Sequence, residues 1–289
     1  LVAAVERMAG ELGVSFAGTK ARAPAGAVRL RAARVGLWDQ YGGSIDAGWA
    51  RWILEQFEFP FERVFAPTLD AGDLNRKFDV LVFVSGAIGS AGNAGSGGRG
   101  GGGGVPNDIP AEYQAQVGRV TAEKTLPNIK QFIENGGTVV AIGESATNLA
   151  AFLKLPLENH LVENGAPLPR TKFFVPGSVL TSRVDSTTPA AYGMSERTDV
   201  FFDDSPVFKF GADAAAAGLT RIAWFDTAKP LHSGWAWGER YLENGVVAAE
   251  ARIGKGRSLF FGPEILQRGQ PHPTFKFLFN GILESVASR

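Results

Sequence analysis

Apolar positions recur along this chain with two different periods, and the period changes as the chain proceeds. Leu1, Val5, Met8 and Leu12 share one face at helical spacing and Gly13 supplies a stop, which predicts a helix over 1–12. Residues 15–33 lose the pattern and are rich in Ala, Arg and Gly, as in a linker. From Arg34 onward strands alternate with helices. Val35-Gly36-Leu37-Trp38 reads as a short apolar strand, and Ser44 is placed to cap a helix with Trp49, Trp52, Ile53 and Phe57 on one face. Residues 62–65 and 79–84 predict a second and a third strand, the latter (DVLVFV) apolar enough to be buried on both faces. The next helix has Pro127 in its first turn, Leu126, Ile129 and Ile133 on one face, and Gly136-Gly137 at its end. A fourth strand, Thr138–Ile142, follows.

Strands alternating with helices imply right-handed crossovers and a mostly parallel sheet. The fold class expected is α/β, a flavodoxin-like three-layer sandwich of sheet flanked by helices. An added β-rich part follows, with strands at Ser178–Val184, 200–202, 221–225, 246–251 and 257–261. A closing helix opens near Pro273 and is expected to bury Phe275, Leu278, Phe279, Ile282 and Leu283. The division predicted is residues 1–33, helix and linker, and 34–289, the α/β domain. Within it, 86–108 forms a glycine-rich insertion expected to be flexible, because glycine loses the most entropy on ordering. A phosphate-cradling loop would need the G-x-x-x-x-G-K-[ST] register and a helix directly after it, and the tract has neither.

Composition narrows the function classes. The 289 residues are 45% hydrophobic and 20% charged, enough to bury a full core. Lys+Arg and Asp+Glu balance at 29 each, so no overall field favours nucleic acid. No apolar run approaches the roughly 20 residues of a membrane span. With no cysteine, disulfides, thiolate nucleophiles and cysteine zinc sites are all excluded. The start at Leu1, without Met or a signal-like segment, reads as a processed or excised piece of a longer protein.

Chemistry is expected where the fourth strand enters Gly143-Glu144-Ser145-Ala146-Thr147 and where the last strand enters Gly262-Pro263-Glu264. A nucleophile on a strand-to-helix turn needs small neighbours and a base to activate it. Ser145 stands in the nucleophile position, but Thr147 replaces the second glycine of G-x-S-x-G. The preferred reading is that Ser145 caps the following helix. Catalytic candidates are therefore Ser145, Glu144, Glu264 and, as a recruited base, His232. Asp39, Tyr41 and Ser85 follow strands and are candidates to line a ligand pocket at their carboxyl ends. Arg268 stands near Glu264 in sequence and could neutralise it. Trp235 and Trp237, alternating in an extended stretch, would face one side as a core, an interface or a stacking platform. His160 and Glu163 form H-x-x-E with His272 far downstream, a zinc-like spacing. They sit in a proline-bounded polar stretch that reads as loop, so no metal is expected in this chain.

The turn after the last strand resembles the His-Pro-Glu exit of class I glutamine amidotransferases, with Gly262 in place of the histidine base, and Ser145 falls where their G-x-C-x-G motif has its cysteine. Four segments, 34–61, 119–145, 173–180 (FFVPGSVL) and 233–280 (SGWAWGERYL through PHPTFKFLFN), resemble a known module. It is the amidotransferase-like C-terminal domain of large bacterial zinc carboxypeptidases of the carboxypeptidase A type. The resemblance implies a non-catalytic accessory domain, for docking, substrate presentation or stabilisation. It also implies a secreted or periplasmic, cell-envelope parent whose upstream peptidase domain holds the zinc and hydrolyses peptides. The implied partner is that upstream domain or fragment, with a homo-oligomer left open. The alternatives are a divergent serine hydrolase using Ser145 and a zinc peptidase using His160, Glu163 and His272.

Overall fold

A computed structural model describes residues 1–23, 27–90 and 108–287. Helix α1 (Val2–Leu12) stops at Gly13 (φ 64°) as its pattern predicts, yet buries none of its residues. The alternating region follows as β1 (Val35–Trp38), α2 (Ile45–Gln56), β2 (Phe61–Val64), α3 (Ala66–Asp70), α4 (Leu74–Lys77), β3 (Val80–Phe83), α5 (Thr125–Glu134), β4 (Thr138–Ile142) and α6 (Glu144–Phe152). Ser44 caps α2 by accepting the N–H of Ala47 at 3.4 Å. The β-rich part comprises β5 (Leu157–Asn159), β6 (Val162–Glu163), β7 (Ala166–Pro167), β8 (Ser178–Val184), β9 (Arg197–Phe202), β10 (Phe208–Phe210), β11 (Leu219–Trp224), β12 (Leu231–Ser233), β13 (Val246–Ile253) and β14 (Gly256–Phe261), and α7 (Phe275–Glu284) closes it.

Among the described residues twelve strands form one sheet, with a spine in the order β12-β8-β11-β13-β14-β4-β3-β1-β2. The run β2-β1-β3-β4-β14 is parallel throughout. That is the flavodoxin-like 2-1-3-4-5 order, so the α/β, flavodoxin-like architecture expected from the sequence is the one observed. Every residue of β1, β3 and β4 is buried, which requires helices against both faces. On one face α2 and α7 meet through Phe57 and Phe279, ring centroids 4.9 Å apart. The antiparallel extension grows from β13, which pairs with β14 on one side and β11 on the other.

Several expectations are corrected by packing. In α2 the buried residues are Ala47, Ala50, Ile53 and Leu54, while Trp52 is exposed. The Trp52 indole instead lies over Gly269, where an added Cβ would come within 2.5 Å of its ring. In α7 Phe277 and Gly281 are buried in place of Phe279 and Leu283; Gly281 brings the helix close to Leu259 and Val140. The stretch expected as loop is so only in part: His160 lies in a bend, while β5 pairs with β10, and β6, which carries Glu163, pairs with β7 in a small hairpin. The start of the glycine-rich tract is built into the core, since Ala87 and Ile88 are buried. The rest of that tract, 91–107, lies outside the described residues.

Candidate functional site

Open α/β sheets bind ligands beyond the carboxyl ends of their parallel strands, and here the backbone departs from regular geometry at that edge. Strand β4 ends at Ile142 and α6 begins at Glu144, so Gly143 alone makes the turn, at φ 60° and ψ −135°. This is close to conformations that only glycine holds without strain. It is also the sharp strand-to-helix turn on which hydrolytic α/β folds expose a nucleophile. The elbow therefore lies two residues before Ser145. A Cβ added to Gly143 would stand 2.5 Å from Ser85 Oγ and 2.7 Å from Glu264 Oε1. The space a nucleophilic side chain would occupy is taken by those two residues.

Ser145 lies in the first turn of α6 and is fully buried. Its hydroxyl donates to the Val84 carbonyl at 2.6 Å and accepts the Ile88 N–H at 3.0 Å. It clamps the loop after β3 onto α6. It is neither an exposed nucleophile nor the helix cap, because Gly143 holds the cap position. The base position is closed as well. A Cβ at Gly262 would lie 2.0 Å from the Pro206 carbonyl oxygen, and the Gly262 N–H donates to Val247 O at 2.9 Å. Backbone passing this close leaves no room for histidine.

Two clefts open over the strand ends. The larger, about 600 Å³, is lined by Glu144, Thr147, Asn148 and Arg170 together with apolar Leu161 and Phe173. The smaller, about 390 Å³, is lined by Asp46, Ser85, Gly143, Glu144, Glu264 and Arg268. Glu144 and residues 204–206 border both, so they form the ridge between them. Glu264 keeps only part of its surface in contact with solvent. Burial and the nearby Asp46 carboxylate push its carboxyl up to about 8, against a hydrogen bond from Ser85 and with further help from Glu144 and Asp203. Arg268 lines the same cleft, and among the described residues no ion pair joins it to Glu264.

The remaining sequence candidates disperse. Asp39 accepts the Gln40 N–H at 2.9 Å and lies 3.5 Å from the Arg63 guanidinium. Tyr41 packs on Tyr113, centroids 6.1 Å apart, and neither residue lines the two clefts. His232 sits on β12, its Nδ1 2.7 Å from Asp199 Oδ2. Five strand spacings separate β12 from β4, about 24 Å of sheet, so His232 is no base for Ser145. Of the zinc-like trio, Glu163 pairs with Lys172 and His272 lies against Phe275, centroids 5.2 Å apart. Burial lowers the pKa of His160, whose ring meets the backbone carbonyls of Glu243 and Tyr241. Among the described residues no three His, Asp or Glu side chains gather as a metal-binding group. Sequence reading misses Asp46, Asp203 and Asp204 at the clefts. The D-D-S-P stretch at 203–206 is readable as a turn, but its approach to Gly262 depends on how distant strands pair.

No protein-family model matches the chain, and no curated protein matches it. The solved structures similar to it are distant in sequence. A cytoplasmic protein from Salmonella typhimurium is 14% identical, the match covering 89% of this chain and 100% of that one, with a TM-score of 0.48. A ThuA-like protein from Bacteroides uniformis is 11% identical over 91% of this chain and 94% of its own, with a TM-score of 0.49. A protein from Thermoplasma acidophilum, named for a GMP synthase component, is 10% identical over 88% and 94%, with a TM-score of 0.48. These likenesses concern the course of the chain and say nothing of substrate.

Proposed function

We propose that this chain is a non-catalytic, amidotransferase-like domain that serves as an accessory unit, for docking or substrate presentation, in a larger protein of the zinc carboxypeptidase family. The observation that carries the non-catalytic part is Gly143: the elbow has no side chain, and Ser85 and Glu264 fill the space beside it. Gly262, pressed against Pro206, supports the same reading from the base side. The parentage rests on the resemblance of the four segments, and zinc and peptide hydrolysis would belong to the upstream domain. A secreted or cell-envelope location follows from the same resemblance.

The direct test is hydrolysis by the purified chain. It should release no p-nitrophenol from p-nitrophenyl acetate and no ammonia from glutamine above the buffer rate. Turnover that disappears in Ser145→Ala would overturn the proposal. Parentage is tested separately, by isolating the native protein at its full mass. Stoichiometric zinc and carboxypeptidase activity should be found there, and both should stay with the upstream part when the present chain is cut away.

A further inference from the structure

The exposed aromatic residues of the SGWAWG segment stand apart from the clefts and play no part in the elbow. Trp235 and Trp237 are each 54% exposed. Both are nevertheless held. Trp237 Nε1 donates to the Thr171 carbonyl at 2.8 Å, and the Trp237 backbone forms an antiparallel bridge with Phe174. Trp235 meets the Phe174 ring edge-on, centroids 6.0 Å apart. Its N–H donates to Ser178 Oγ at 2.9 Å, and that hydroxyl donates back to the Trp235 carbonyl at 2.6 Å. Gly234 permits this approach, since a Cβ there would lie 2.6 Å from Ser178 Oγ.

Cations surround these rings. The Arg170 guanidinium lies over Phe174 at 4.5 Å and bonds Asp204 at 2.7 Å, while Lys172 pairs with Glu163. Arg240 lies over Tyr241 at 4.7 Å and is close enough to Lys172 to oppose its protonation. Among the described residues Arg240 has no carboxylate partner. The adjacent Glu239 is engaged elsewhere, accepting the Leu231 N–H at 3.0 Å. Of the three cations on this face, Arg170 and Lys172 are ion-paired and Arg240 is not.

We propose that the face formed by Arg170, Lys172, Phe174, Trp235, Trp237 and Arg240 binds an acidic segment of a partner protein. Indoles already fixed in place lose little freedom on binding, so their burial is not offset by ordering. Trp and Arg are also the side chains that most often dominate binding energy at protein interfaces. Arg240, which makes no ion pair among the described residues, sets the sign of the partner, because charge complementarity selects a carboxylate-bearing segment over a neutral or basic one. A nucleic-acid surface would need a longer basic track along which several phosphates are neutralised. Two of the three cations here are already ion-paired. This inference does not depend on whether the elbow is catalytic.

The test uses the full chain and two fluorescently labelled peptides, one of alternating Glu and Leu and a matched one of alternating Lys and Leu. Fluorescence anisotropy should show saturable binding of the acidic peptide, weakening as salt rises, and none of the basic one. Arg240→Glu, a surface change, should weaken binding about tenfold or more, as should Trp235→Ala with Trp237→Ala. Thermal unfolding would verify that each variant is folded, and the single variant Trp235→Ala stands in if the double variant is not. Equal binding of both peptides, no binding of the acidic one, or an Arg240→Glu variant that binds as wild type would each overturn the proposal. So would preferential binding of a labelled oligothymidylate or of phosphatidylserine vesicles.

Discussion

At the scale of single residues, the turn at Gly143 decides the chemistry. Gly143→Ala places a Cβ within 2.7 Å of Ser85 Oγ and Glu264 Oε1 in a backbone state that alanine resists. The backbone alone should cost about 1–3 kcal/mol, measured by urea unfolding, with the steric contact added to it. Glu264 makes a different prediction. Its carboxyl is raised to about 8 in the folded chain, so the folded state holds a proton that the unfolded state has lost. Stability from this proton is fully present below the unfolded value near 4.5 and is lost as pH rises toward 8. Glu264→Gln should flatten that slope and be more stable than wild type at pH 9, by urea midpoints across the range. A slope unchanged by the substitution would show that Glu264 titrates normally.

At the scale of elements, Asp79 fastens the end of the linker to the start of β3. Its carboxylate bonds Arg31 at 2.7 Å and 2.8 Å, and Arg34 through both backbone N–H and guanidinium. Burial opposes its charged form, but the two guanidinium groups outweigh that and hold its pKa well below the usual carboxylate range. This contribution is fully present above the ordinary aspartate range, begins to fall there, and is lost as pH drops through the depressed value of the folded state. Asp79→Ala should cost about 2 kcal/mol at neutral pH and speed proteolysis within 14–33, followed by mass spectrometry. The elements themselves are largely legible in the sequence. β1, β4 and β8 fall at their expected limits, because apolar runs between glycine and capping residues define them without tertiary help. The short strands β5, β6 and β7 do not, because two or three residues carry no period and are strands only by virtue of their partners. Ser145 is misleading for a related reason. Its motif gives the right turn, but only the backbone, with β4 ending at Ile142 and α6 starting at Glu144, shows that Gly143, two residues earlier, is the bend.

At the scale of the whole molecule, the sheet is two half-sheets of different kind. The parallel half arises from local alternation and is legible in the chain. The antiparallel half is legible as β-rich texture, but its strand order is not, since local pattern names no partner for strands so far apart. The two halves meet at one strand only. β14 pairs in parallel with β4 and antiparallel with β13, and no other strand on the spine lies between them. Of the strands in this sheet it is the last to be made. While the chain emerges from the ribosome, β4 waits as an open edge until β14 follows directly on β13, offering unpaired backbone to any neighbour. Residues 256–261 then act as the keystone, joining β4 to β13 in one step and leaving α7 to cover the seam. The window between synthesis of β4 and of β14 is when this protein is most exposed to misassociation with other nascent chains.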